Sequence, residues 1–151
     1  RNALTNQQKE GLLLFYGDAG CGNCHGGPML SDFTFHVLGA LDNPAIGADM
    51  GADTLLLFRT PTLRNVAITE PYMHSGVYST LMDAVEFMSL GESLNPLVLS
   101  GMKDVNFKRY DLSLEDKEAI VAFLESLTDD SFDKVPPLSV PSGLPVGGMI
   151  L

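Results

Sequence analysis

The sequence has no Trp and only two Cys, three His and nine Lys or Arg in 151 residues. The two cysteines lie three positions apart, and a disulfide across a two-residue gap would close a tight, strained ring. Nine basic residues stand against nineteen acidic ones, for a formal net charge of −10, which argues against nucleic acid or an anionic membrane as partner and favours a basic one. No apolar run approaches the roughly 20 residues of a membrane-spanning helix, and no signal peptide opens the chain. What remains is a chain with 45% apolar residues, sized for one domain with a buried core.

The scarce residues are concentrated in Cys21-Gly22-Asn23-Cys24-His25. C-x-x-C-H is the covalent attachment signal for c-type haem: each thiol forms a thioether to a vinyl group, and His25 becomes the proximal iron ligand. A thioredoxin-like pair would need a βαβ setting, whereas the surroundings here are helical and glycine-rich. A structural zinc site would need further ligands at short spacing, and neither His36 nor His74 supplies the usual pairing. Because covalent haem attachment takes place outside the bacterial cytoplasm, a periplasmic location is expected. The leader would then have been removed, and residue 1 need not be the natural start.

Three helices are predicted. Thr5 to Tyr16 has Thr5 as N-cap, Gln8 at the capping-box position, an apolar face of Leu12, Phe15 and Tyr16, and Gly17 as stop. Thr80 to Leu90 is capped by Thr80 with Asp83 three residues on and ends at Gly91. Ser113 to Leu127 has Ser113 and Asp116 as its cap pair and buries Ile120, Val121, Phe123, Leu124 and Leu127. The first and last helices form the natural crossing pair, with Gly11 permitting close approach. Residues 26–58 carry turn signals and little periodicity, as expected of a long loop packed on a haem edge. The fold class expected is all-α, a cytochrome c-like haem domain over residues 1–134. The Pro- and Gly-rich residues 135–151 are expected to form an extended tail packed on it.

Phe58-Arg59-Thr60-Pro61-Thr62-Leu63-Arg64-Asn65-Val66, Pro71-Tyr72-Met73-His74-Ser75-Gly76 and Thr80-Leu81 follow the haem motif as a linked series. Together they resemble the bacterial di-haem cytochrome c peroxidase family, which includes the methylamine-dehydrogenase maturation enzyme. The resemblance is to the C-terminal domain, since members carry two haem domains and this chain has one C-x-x-C-H. It implies the high-potential half, which receives electrons from a small donor, here a basic cytochrome, and relays them to a peroxide-reducing haem in a second domain. The peroxide-cleaving residues and the Trp between the haems belong to that missing part. A stand-alone single-haem electron carrier without catalysis is the alternative.

Seven methionines compete for the sixth iron position. Met29 is too close to His25 in sequence to cross to the other face, while Met50 and Met73 lie in loops and stay open. On the predicted second helix Leu81, Val85 and Met88 share an i, i+4, i+7 stripe, whereas Met82, Glu86 and Ser89 share the polar side. The resemblance places the distal ligand fourteen positions after His74, at Met88. Met102, in the loop before the last helix, is the competitor. Arg59 and Arg64 are candidates to hold haem propionates, and His74 is a candidate for a propionate or the domain interface. His36 is expected to be a core histidine with local hydrogen bonds. The resemblance also implies a calcium ion between domains on the carbonyls of Thr69 and Pro71, held weakly by a chain that supplies only two oxygens.

Overall fold

The computed structural model describes residues 3–99, 101–129 and 131. The tail expected over 135–151, and Asp130 and Asp133, lie outside the described residues. Three helices carry the fold: α1 (Asn6–Tyr16), α2 (Leu81–Leu90) and α3 (Leu114–Glu125), with single 3-10 turns at Cys21–Asn23 and Val66–Ile68. The all-α expectation needs one amendment, a two-residue antiparallel pairing of β1 (Phe35–His36) with β2 (Phe58–Arg59) inside the stretch expected to be loop. Two residues per strand leave no room for an alternating pattern, so periodicity could not announce it.

The caps form as their residue types dictate. Thr5 Oγ1 accepts from the Gln8 N–H, and the Gln8 side chain accepts from the Thr5 N–H, satisfying two donors at the start of α1. Ser113 and Asp116 repeat this reciprocal arrangement on α3. On α2 the Thr80 hydroxyl accepts from the Asp83 N–H, and Gly91 closes the helix in the left-handed conformation at φ 62°. Gly11 is where α1 meets α3: a Cβ built there would lie 1.9 Å from the Ala119 carbonyl oxygen, so only glycine permits this crossing. Phe15 is 1% exposed against α3, while Tyr16, expected on the buried face, is 50% exposed.

The apolar interior falls into two clusters. A helical cluster gathers Phe15, Ala19, Val66, Val85, Ile120, Phe123 and Leu124, with Cys21, Leu63 and Leu81 packed against it. A loop cluster gathers Ala40, Phe87 and Phe107, with Leu38, Met73, Tyr78 and Met88 at its margin. α2 serves both, so the single stripe drawn through Leu81, Val85 and Met88 divides: the first two face the helical cluster and Met88 the loop cluster. Ser89, placed on the polar side by periodicity, is buried. Its hydroxyl donates to the Glu86 carbonyl and its own carbonyl accepts from the Tyr110 N–H. That backbone pairing draws residue 110 over the face that a helical wheel leaves to solvent.

Candidate haem site

The residues after α1 turn sharply. The amides of Cys24 and His25 both donate to the Cys21 carbonyl, at 3.3 and 2.9 Å, so the two thiols and the imidazole are gathered on one short turn. Both cysteines are free. Burial pushes each thiol up to about 11, with Cys24 raised further by the charges of Asp32 and Asp104. A redox pair of the thioredoxin type works through a lowered thiolate, and these electrostatics run the other way.

His25 Nδ1 lies 2.9 Å from the Leu30 carbonyl oxygen. A carbonyl only accepts, so Nδ1 carries the proton and the basic lone pair is on Nε2, the tautomer of an imidazole prepared to bind iron. Burial lowers the His25 pKa, against the pull of the Leu30 carbonyl and the Asp32 charge, which keeps the ring neutral. The ring packs on Phe15 of the helical cluster, with centroids 6.4 Å apart. Two partly buried thiols, a neutral imidazole of fixed tautomer and apolar packing fit a covalent c-type haem.

The segment after the motif is tied to the one around β2. Arg64 donates from Nε and Nη2 to the Pro28 carbonyl at 2.9 and 2.8 Å, and Arg59 Nε donates to the Phe33 carbonyl at 3.2 Å with its guanidinium over the Phe33 ring. The Thr62 hydroxyl donates to the Met29 carbonyl and the Ser31 hydroxyl to the Thr60 carbonyl. Both arginines therefore clasp the loop after His25 by its backbone, and among the described residues the Arg64 Nη1 donors are left for another acceptor. His74 stacks on Phe58 with centroids 3.8 Å apart and points Nε2 at Asp42, 3.4 Å away.

Among the methionines, Met88 and Met73 border the loop cluster, whereas Met29 and Met50 are exposed. The Met102 sulfur accepts from the Leu99 N–H at 3.3 Å, turned back on its own loop. The Tyr78 ring also packs against the loop cluster, and its hydroxyl is buried without a hydrogen-bond partner among the described residues, an orphan of the kind that a bound polar group or water satisfies. Thr69 and Pro71 flank a short stretch with a cis Glu70–Pro71 peptide.

Sequence reasoning missed one constellation. His36 is gripped from both sides, Nδ1 by Asp104 at 2.7 Å and Nε2 by Asp32 at 2.9 Å, with Thr34 Oγ1 2.7 Å from Nε2. Asp32 lies four residues before His36 and could have been suspected, whereas Asp104 is 68 positions away and gave no signal. The Cys24 sulfur, an Asp32 oxygen and a His36 nitrogen lie within 4.8 Å of one another. With both ring nitrogens committed to carboxylates, His36 offers a cation no free lone pair, and the group is a hydrogen-bonded cluster.

No family model matches the chain. It is 32% identical over 172 aligned positions to cytochrome-c peroxidase IdrP2 of Denitromonas iodatirespirans, covering 90% of this chain and 43% of that protein. It is 30% identical to the methylamine utilization protein MauG of Methylorubrum extorquens, covering 83% and 36% respectively. A crystal structure of a variant of the diheme peroxidase BthA from Burkholderia thailandensis superposes with a TM-score of 0.71 at 26% identity, over 96% of this chain and 46% of that one. The chain thus spans less than half the length of each. On this homology, which runs through most of its own length, the chain belongs to the di-haem cytochrome c peroxidase and MauG family.

Proposed function

We propose that the chain is a one-haem electron-transfer domain, the half of a di-haem peroxidase that receives electrons from a small donor protein and relays them to a second, peroxide-reducing haem domain. In this reading residues 1–134 are the haem domain, residues 135–151 a tail against it, and the compartment is the periplasm. Cys21 and Cys24 would hold the haem, and His25 and Met88 would supply its iron ligands. The carrying observation is the His25–Leu30 contact, which presents Nε2 beside two reduced thiols. Met88 is preferred to Met102 because it borders an apolar cluster while the Met102 sulfur is engaged with its own turn.

The bound group supplies a one-electron couple. The chain's own residues do the rest. Leu30 orients the imidazole, while Arg59 and Arg64 fix the loop and Arg64 offers its remaining N–H groups to a propionate. His74, stacked on Phe58 and close to Asp42, would face a propionate or the domain interface. A thioether ligand favours ferrous iron and so a high potential. With His25 and Met88 both engaged as ligands, the isolated chain would turn over peroxide poorly. Thr69 and Pro71 carbonyls contribute to a calcium site that only a second domain would complete.

The test is a mass spectrum and an optical spectrum of the chain from a host that matures c-type cytochromes. One haem resisting acid–acetone extraction, with the weak red absorption of a sulfur–iron bond that Met88→Ala abolishes, is the expected result. Survival of that band in Met88→Ala would move the role to Met102, and absence of covalent haem would end the reading.

A further inference from the structure

The cluster around His36 has no part in holding haem in the reading above, yet its chemistry is specific. Carboxylate oxygens accept hydrogen bonds, so an imidazole with a carboxylate at each nitrogen must donate from both, and only the imidazolium does that. Removing the proton would break one of the two hydrogen bonds and leave two carboxylates facing each other across a neutral ring. The side chain is 14% exposed, and Asp32 and Asp104 come from separate loops that β1 brings together. Burial works against the charged ring, but the bonds to Asp104 and Asp32 outweigh it and raise the His36 pKa, while both aspartates are held low.

What gives the cluster a redox meaning is its neighbour. The Cys24 sulfur lies within 4.8 Å of both the His36 nitrogen and the Asp32 oxygen, and in the reading above Cys24 is one of the two residues that would bond the haem periphery. Other charged groups around His36 are engaged elsewhere: Arg59 on the paired strand clasps Phe33, and Lys103, beside Asp104, donates to the Gly91 carbonyl. His74 and Asp42 contact each other beyond Phe58, the residue that faces His36 in the strand register. His25, whose own titration feels the His36 charge, is kept neutral by burial. The Thr34 hydroxyl beside Nε2 is exposed and gives the proton a route to water.

We propose that Asp32, His36 and Asp104 form a proton-binding site coupled to the haem iron, so that the chain takes up a proton at His36 as it takes up an electron. The inference rests on the haem reading above. The donor protein would lose one electron as ferric iron becomes ferrous, and at a pH near the elevated His36 value a fraction of a proton, at most one, would pass from water to His36 Nε2, offsetting part of the added negative charge. Reduction removes a positive charge near the triad and tightens its hold on the proton. Linkage makes the effect reciprocal, so a protonated triad favours the ferrous state.

The test is a spectroelectrochemical titration of the whole haem-loaded chain from about pH 5 to 10, with the His36 proton affinity read by NMR in both oxidation states. The midpoint potential should be level below the ordinary histidine value of about 6.5 and fall as pH rises through the elevated one. The ferrous form should bind the His36 proton about threefold or more tightly than the ferric form. His36→Gln should flatten the slope, and Asp104→Asn should move it to lower pH. A level potential in the unmodified chain, equal affinities in the two states, or an unchanged slope in His36→Gln would each overturn the inference. With haem attached, such a result leaves the haem reading standing, whereas a chain that carries no haem overturns both.

Discussion

The helical and loop clusters are of similar chemical character and opposite construction. The helical cluster is made where α1 and α3 cross, from residues three and four apart on regular elements, with Gly11 letting the backbones touch. The loop cluster collects Ala40, Phe87 and Phe107 from three distant segments, and its partners Leu38, Met73 and Tyr78 come from irregular chain. The attachment turn leans on the first and Met88 on the second. The Cys21–His25 end of the proposed site is thus founded on regular, capped helices. The other end depends on long-range loop contacts, which a haem wedged beside them would complete.

That contrast can be broken most sharply at Phe15. Phe15→Ala should cost about 3–5 kcal/mol by opening a cavity between α1 and α3, seen as a large fall in the denaturation midpoint of the haem-loaded chain. Gly11→Ala attacks the same crossing by overpacking and should cost about 1–3 kcal/mol or more, because the Cβ would meet backbone that cannot step aside. If either variant melts like the parent, the helical cluster is not the foundation.

Phe107→Ala tests the other side. Its expected cost is nearer 3 than 5 kcal/mol, since irregular chain can collapse into part of the space, and it should disturb the red sulfur–iron absorption, which Phe15→Ala would leave in place in the folded fraction. A loop cluster that lost stability without any change in that band would separate it from Met88.

The smallest effect concerns pH and belongs to the Asp32–His36–Asp104 triad, which lies outside both clusters. Asp32 and Asp104 have pKa values below the ordinary 3.8, so their contribution is full above 3.8 and is lost as pH falls through the lowered values. His36 is raised above 6.5, so its contribution is full below 6.5 and is lost as pH rises through the elevated value. Stability from the triad should therefore be greatest between about 4 and 6.5 and decline on either side. His36→Gln should remove the alkaline decline from a series of denaturant melts, and a decline that persists in that variant would assign it elsewhere.

The same division governs what the sequence disclosed. Helix caps are local statements, and Thr5 with Gln8, Thr80 with Asp83 and Ser113 with Asp116 each announced a start that the structure keeps. Gly11 announced the crossing. Cys21, Cys24 and His25 stood out as a candidate set because the C-x-x-C-H signal lies within five residues, and the structure gathers them on one turn. The partition of α2 between clusters was not legible, since a helical stripe says which residues share a face and nothing about how many neighbours that face meets. The clasps from Arg59 and Arg64 to Phe33 and Pro28, and the Asp104 bond to His36, join residues 26 to 68 positions apart, and only the tertiary fold decides those.

The β1–β2 pairing, small as it is, has a consequence for how this chain can change length. It closes the base of an excursion through residues 37–57, and the stem is pinned on one side by Asp42 with His74 and Asn95 and on the other by buried Leu56. Residues 44–50 between these pins are exposed throughout. Doubling a loop adds only about 0.6 kcal/mol of closure entropy. Added or deleted residues at this tip would therefore leave the haem turn and both clusters untouched. It is the natural place to graft an affinity tag, a linker or a tethered redox partner, bringing foreign sequence near the site while the parts that hold the cofactor go on folding as before.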